Sequence, residues 1–178
     1  MQIIVSDDLY LSPFTDEDIP GLLDCLNRPE IIDNLLTLPF PYTRNDAELF
    51  LSHNAELFDK YGLHLNYAIR LMKNHALIGS IGLQLYNEMH RKHRAKVGYY
   101  LLPQFQGKGI MTRCLNTFTL WALHTFKPAR ISATIFIHNI ASEKVALKCG
   151  YILEATLLKY YKKNGQYIDT KLYTIYNE

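Results

Sequence analysis

No apolar run in this 178-residue chain approaches the roughly 18 to 20 residues that a membrane span requires. Cysteine is scarce: Cys25, Cys114 and Cys149 are scattered, odd in number and lack C-x-x-C spacing. That argues against a disulfide framework and against a zinc knuckle, so a reducing cytoplasm is the expected compartment. Charge of one sign is lacking too. The formal net charge of +2 announces no nucleic-acid-binding field, and neither nucleic acid nor membrane is expected as a partner. The opening MQIIVSDDLYLSP has no basic segment and meets Asp7 and Asp8 before an apolar run matures, which does not suit a secretory signal. Repeats, low complexity and linker composition are missing as well, and the length suits one compact domain over residues 1–178.

What is present reads as a folded α/β chain. A short strand, Leu9 to Ser12, precedes a helix capped within Thr15-Asp16-Glu17-Asp18, whose Leu22, Leu23 and Leu26 recur at helical spacing. Pro29 interrupts it. TRNDAELFLSHNAELF predicts a second helix capped by Thr43 or Asn45, with Leu49, Phe50 and Phe58 on its inner face. HLNYAIRLM and HALIGSIGLQLY predict adjacent antiparallel strands around a turn near Lys73-Asn74. After the basic loop EMHRKHRAK comes the strand VGYYLL, then a glycine turn, then a helix with Ile110, Cys114, Leu115, Phe118, Trp121 and Ala122 on its buried side. ISATIFI is a further strand, NIASEKVALKCG a short helix, and the tail two or three strands turning at Asn164-Gly165.

The turn LPQFQGKGIM lies between a strand and a helix N-terminus. Glycines there let the backbone approach a ligand, the first helical N–H groups are unpaired, and the helix dipole adds partial positive charge. QGKG is therefore expected to cradle phosphate. It is not a P-loop, because Lys108 is followed by Gly109 and not by Ser or Thr. A dinucleotide fingerprint also fails, for want of a third glycine at Thr112 and of an acidic residue ending the next strand, which closes with Ile137-His138.

Gln106-Gly107-Lys108-Gly109 resembles the Q/R-x-x-G-x-G/A loop of the GNAT superfamily of N-acetyltransferases, and NIASEKVALKCGY resembles that family's second signature. The start, the YQGKG-like loop, the N-x-A-S helix and the tail hairpin occur in the order of its ribosomal-protein N-terminal (Rim-type) branch, over almost the entire chain. The resemblance implies an α/β fold with a mostly antiparallel twisted sheet flanked by helices, in which the fourth and fifth strands splay to admit acetyl-CoA. Pantetheine would pair with backbone around Leu101 and Leu102. Backbone N–H groups over Gln106, Gly107, Lys108, Gly109, Ile110, Met111 and Thr112 would take the pyrophosphate, Asn139 the pantetheine arm, and Ser142 would lie near the phosphates. Two departures stand out: Met111 occupies a position where the family favours Gly or Ala, and Ala146 one where many members carry a tyrosine acid.

Direct attack of a neutral amine on the thioester, with the oxyanion held by strand N–H groups, needs no covalent nucleophile. Cys149 follows a helix C-terminus, where nothing lowers its pKa. Lys96 replaces a glutamate that Rim-type members often carry. Glu154, in YILEATL, is then the candidate base, against the alternative of a solvated strand residue, and His138 a candidate relay through water. His90 and His93 have H-x-x-H spacing, but Arg91, Lys92 and Arg94 interleave them, so a solvated loop is expected and no metal. Tyr99 and Tyr100 alternate faces, one toward an acceptor cleft and one toward the core. Asn34, Tyr42, Tyr160 and Tyr167 are candidate lining residues.

The expected activity is acetyl transfer to a primary amine, a protein or peptide N-terminal α-amine above all. The alternatives are a small-molecule amine such as a polyamine or aminoglycoside, and a non-catalytic acyl-CoA sensor. The sequence leaves monomer and homodimer both open.

Overall fold

The computed structural model describes residues 1–177. Eight strands form one mixed sheet in the order β1-β2-β3-β4-β5-β6-β8-β7: β1 Ile3–Ser6, β2 Leu9–Ser12, β3 Asn66–Leu71, β4 Leu77–Leu85, β5 Arg94–Leu101, β6 Arg130–Phe136, β7 Ile152–Lys163 and β8 Gln166–Tyr176. The helices are α1 Ile19–Leu26, α2 Pro29–Ile32, α3 Arg44–Tyr61, α4 Ile110–Phe126 and α5 Ile140–Lys148. The chain groups into two compact units, residues 1–82 with 99–110, and residues 83–98 with 111–178.

In the first unit β1, β2, β3 and β4 pair antiparallel in sequence. β1 is a strand that the sequence reading did not anticipate. Thr15 and Asp18 form a reciprocal capping box ahead of α1, and Asp18 also receives both Nη2 contacts of Arg70, at 2.6 and 2.7 Å. Pro29 does more than interrupt a helix, since it opens α2 from its first position, where a missing N–H costs nothing. The Thr43 cap of α3 is present, with Asp46 N donating to its Oγ1, and Gly62 closes the helix at φ +69°.

The expected inner face of α3 is corrected. Leu49 and Phe58 are exposed, whereas Ala47 is buried and Phe50 and Leu51 pack on a core of Ile19, Leu22, Cys25, Leu26, Ile31, Tyr42 and Leu102. A polar-rich helix carries weak periodicity, and tertiary packing chooses the face.

In the second unit α4 buries Cys114, Leu115, Phe118 and Ala122 completely, on the stripe read from the sequence. β6 pairs antiparallel with β8 from Arg130↔Tyr176 to Phe136↔Thr170, and β8 with β7. Asn164 and Gly165 both take positive φ, 50° and 81°, as a type I′ hairpin requires. The parallel pair is β5 with β6, in register at Arg94↔Arg130, Ala95↔Ile131 and Lys96↔Ser132. Beyond Lys96 and Ser132 no further register partners join these two strands among the described residues, the ladder-level form of the expected splay.

Candidate active site

In the first unit, β5 ends at Leu101 and a short turn, Pro103–Phe105, leads to the glycines. Leu102 N–H donates to Ile78 O at 2.9 Å, and Leu102 O accepts from Phe105. The N–H of Leu102 is thereby committed to β4, which takes that donor, though not the carbonyl, from the expected pairing with pantetheine amides. Backbone groups of neighbouring strand residues point to opposite sides, so the Leu101 amide faces away from β4. Leu101 O accepts from Gln106 Nε2 at 2.8 Å. The Gln106 side chain is thus a clamp that ties the glycine turn to the strand end.

Gly107 and Gly109 sit at φ +73° and +72°, with nothing within 4 Å of where a Cβ would stand on either. Conformation, not crowding, demands glycine here, and the open space above both leaves room for an anion. Alternating left-handed residues turn successive N–H groups toward one side, a concavity suited to phosphate oxygens. Lys108 folds back, its Nζ donating to Gln104 O at 2.9 Å and lying 5.8 Å from the Phe105 ring centroid. Ile110, which begins α4, is buried.

Tyr100 belongs to this unit and packs against the α1 core. Its hydroxyl is buried without a hydrogen-bond partner, and burial, followed by Cys25, Tyr42 and Asp18, pushes its pKa well above the ordinary value. Of the expected lining residues here, Tyr42 is buried, and its backbone is clasped by Asn27, which accepts from Tyr42 N and donates to Tyr42 O.

In the second unit Met111 is buried and Thr112 half-buried. Cys149 donates to Thr112 O at 3.3 Å, and burial pushes its thiol up to about 11. It is a packing group for the first turn of α4. Asn139 caps α5, its Oδ1 accepting from Ser142 N at 3.0 Å, so its Nδ2 is the end left to face a ligand. Ala146 is fully buried; Tyr151, the nearest tyrosine beyond it, is buried with Oη 2.9 Å from Thr119 Oγ1. Neither supplies an acid. His138 lies in the turn after β6, exposed, its ring 5.6 Å from that of Phe136.

Glu154 is corrected as a base. It falls where the β7–β8 register shifts between Leu153 and Ala155, and such a bulge re-aims a side chain. Its carboxylate meets both terminal nitrogens of Arg130, and accepts from Thr174 Oγ1 at 2.8 Å and Tyr176 Oη at 3.1 Å. Hydrogen bonds from Arg130, then from Thr174, hold its pKa near 2. A carboxylate so engaged takes no proton at neutral pH. Its partner Arg130 is the first residue of β6, roughly 20 Å or more of strand from His138, which lies two residues past the end of that strand.

Sequence reasoning missed a polar cluster in the same unit. Lys96 Nζ lies 3.2 Å from Tyr161 Oη and 5.7 Å from its ring centroid, and Tyr161 Oη lies 3.4 Å from Thr134 Oγ1. Lys96 signalled itself as the lost glutamate; Tyr161 gave no signal, since a second register shift, between Leu157 and Tyr161, sets its position. Tyr160 and Tyr167 are exposed on the hairpin. His90 and His93 are exposed, and no group of metal-ligating side chains occurs among the described residues.

Residues 8–152 match the acetyltransferase (GNAT) domain family. An uncharacterized N-acetyltransferase of Bacillus subtilis (strain 168), YoaA, is 27% identical, the match covering 97% of this chain and 96% of that protein. The ribosomal-protein-serine acetyltransferase of Escherichia coli (strain K12) is also 27% identical, over 96% and 94%. Among solved structures, ribosomal-protein-S5-alanine acetyltransferase from Vibrio fischeri superposes with TM-score 0.86 at 22% identity, covering 100% and 97%. RimL, a ribosomal L7/L12 α-N-protein acetyltransferase bound to coenzyme A, gives 0.86 at 22%, covering 99% and 98%.

Proposed function

The chain belongs to the GNAT acetyltransferase family and is an acyl-CoA-dependent N-acetyltransferase; we propose that its acceptor is the α-amine of a protein or peptide N-terminus, which attacks acetyl-CoA directly in a ternary complex. The residues present suit that cosubstrate. The two left-handed glycines with open space above them offer N–H groups from Gly107 to Thr112 to the pyrophosphate, Leu101 offers its amide to the pantetheine, and Asn139 offers Nδ2. Acetyl-CoA supplies the activated acyl group. This chain holds it, orients it and leaves the amine to arrive neutral.

The observation that carries the acceptor reading is that, among the described residues, the base and nucleophile candidates read from the sequence are weak ones. Glu154 is held near pKa 2 by Arg130, Lys96 stands where a glutamate was expected, and Cys149 is a buried thiol. Deprotonating an α-amine at pH 7 costs about 1 kcal/mol, against roughly 4 to 5 for a lysine-like amine. His138, exposed at the strand end, suffices to pass a proton to water from the former. The E. coli relative named for ribosomal-protein serine supports a protein acceptor.

The test is coenzyme A release from acetyl-CoA with peptide α-amines, Nα-blocked lysine peptides, polyamines and aminoglycosides. The expected result is preference for α-amines, with kcat/KM rising with pH through an apparent pKa near 8. Preference for a polyamine, or tight coenzyme A binding without turnover on any amine, overturns the proposal.

A further inference from the structure

Within the second unit, Lys96 and Gly98 lie two apart on β5 and so share a face, and the register Lys96↔Ser132 puts Ser132, Thr134 and Phe136 of β6 on that same face. Lys96 is half-buried, yet no carboxylate among the described residues lies within 4.0 Å of its ammonium. The groups around it are neutral: the Tyr161 hydroxyl and ring, with Thr134 behind them. A partly buried cation ordinarily finds an anionic partner. Arg130, two residues earlier on the same face of β6, has one in Glu154, and Lys171 has one in Glu143. Lys96 stands apart from them, and next to it the face is open, for Gly98 is exposed with nothing within 4 Å of a Cβ position.

We infer that Lys96, with the hydroxyls of Tyr161 and Thr134, binds a carboxylate carried by the acceptor close to its amine. One ammonium N–H goes to Tyr161 Oη and one hydroxyl proton lies between Tyr161 and Thr134, which leaves two ammonium N–H groups and one hydroxyl to donate, and none of the three groups brings negative charge. Charge-assisted bonds to a carboxylate are stronger than neutral ones, the more so where water is partly excluded. The same ammonium repels a polyamine or aminoglycoside. The position is where β5–β6 pairing stops, and the inference rests on the reading that the acetyl group is delivered into the splay that begins there. Two acceptors share the required chemistry: a free α-amino acid, through its own carboxylate, and a peptide with an acidic side chain next to its N-terminus.

Kinetics and binding test this separately. Serine is compared with serinamide, and the amidated dipeptides Ser-Asp and Ser-Asn with each other, which tells the two carboxylate sources apart. In at least one pair the carboxylate member is expected to have a kcat/KM about tenfold higher. Lys96→Gln brings that ratio close to one, Lys96→Arg preserves most of it, and Tyr161→Phe, which keeps the ring, lowers it severalfold. Equal ratios in wild type and Lys96→Gln overturn the inference.

Binding of N-acetylserine against N-acetylserinamide, measured by calorimetry with coenzyme A present, gives the readout that needs no turnover. A wild-type preference for the acid that Lys96→Gln abolishes supports the carboxylate site even if no amine is acetylated, in which case the acetyl-transfer reading alone falls. Indifference of both proteins to the carboxylate sinks the site whatever the turnover. Unaltered melting temperatures of the Lys96→Arg and Tyr161→Phe proteins exclude misfolding as the cause.

Discussion

At the scale of single residues, local partners decide what an ionisable side chain is able to do. Glu154 has the right type for a base and the wrong neighbours. Its folded pKa near 2, set first by the Arg130 hydrogen bonds, lies below the ordinary 4.5. A depressed carboxylate adds stability that is complete above the unfolded value and is lost as pH falls through the folded one. Glu154→Gln is therefore expected to lower stability at pH 7 by about 1 kcal/mol, the charge pair being partly screened by solvent. The deficit should shrink between pH 4.5 and about 2, leaving acetyl transfer to an α-amine within twofold of wild type. Denaturant melts across pH, read beside steady-state rates, check this; a hundredfold fall in kcat with unchanged stability would return Glu154 to the mechanism.

At the scale of elements, the β5–turn–α4 segment is a device for presenting backbone donors. Its side chains are spent on itself: Gln106 on Leu101 O, Lys108 on Gln104 O. Its two glycines hold conformations that other residues adopt at a cost of roughly 1 to 3 kcal/mol. With no neighbour within 4 Å, a Gly109→Ala methyl meets no clash, so any loss reports backbone conformation and ligand approach. The expected outcome is a KM for acetyl-CoA raised tenfold or more, with a melting temperature lowered by a few degrees. An unchanged KM would show that the turn does not carry the pyrophosphate. The bulge at Glu154 is the opposite case, one of two irregularities in β7, and it commits a charge to Arg130.

At the scale of the molecule, the two compact units are not joined by linkers. The chain passes between them at 82/83 inside β4, at 98/99 inside β5 and at 110/111 at the start of α4. A strand cannot melt over half its length without exposing unpaired backbone groups. We therefore expect the 178 residues to unfold as a single domain, with calorimetric and van't Hoff enthalpies equal. A resolved second transition would make each unit a domain of its own.

Apart from β1 and α2, the order of elements was legible in the sequence, as were the Thr43 cap, the buried stripe of α4, the Asn164-Gly165 hairpin and the glycine turn, because each depends on residues within a few positions of one another. So was the cosubstrate, through the ordered motifs. What the chain alone left open was every feature set by groups distant in sequence. The inner face of α3, the engagement of Leu102 with Ile78, the capture of Glu154 by Arg130 and the meeting of Lys96 with Tyr161 arise from pairing across strands. Local physics determined the elements and the cofactor loop. Tertiary structure decided which charges are satisfied and which are free to meet an acceptor, since the field at a side chain depends on neighbours in space rather than on neighbours in sequence.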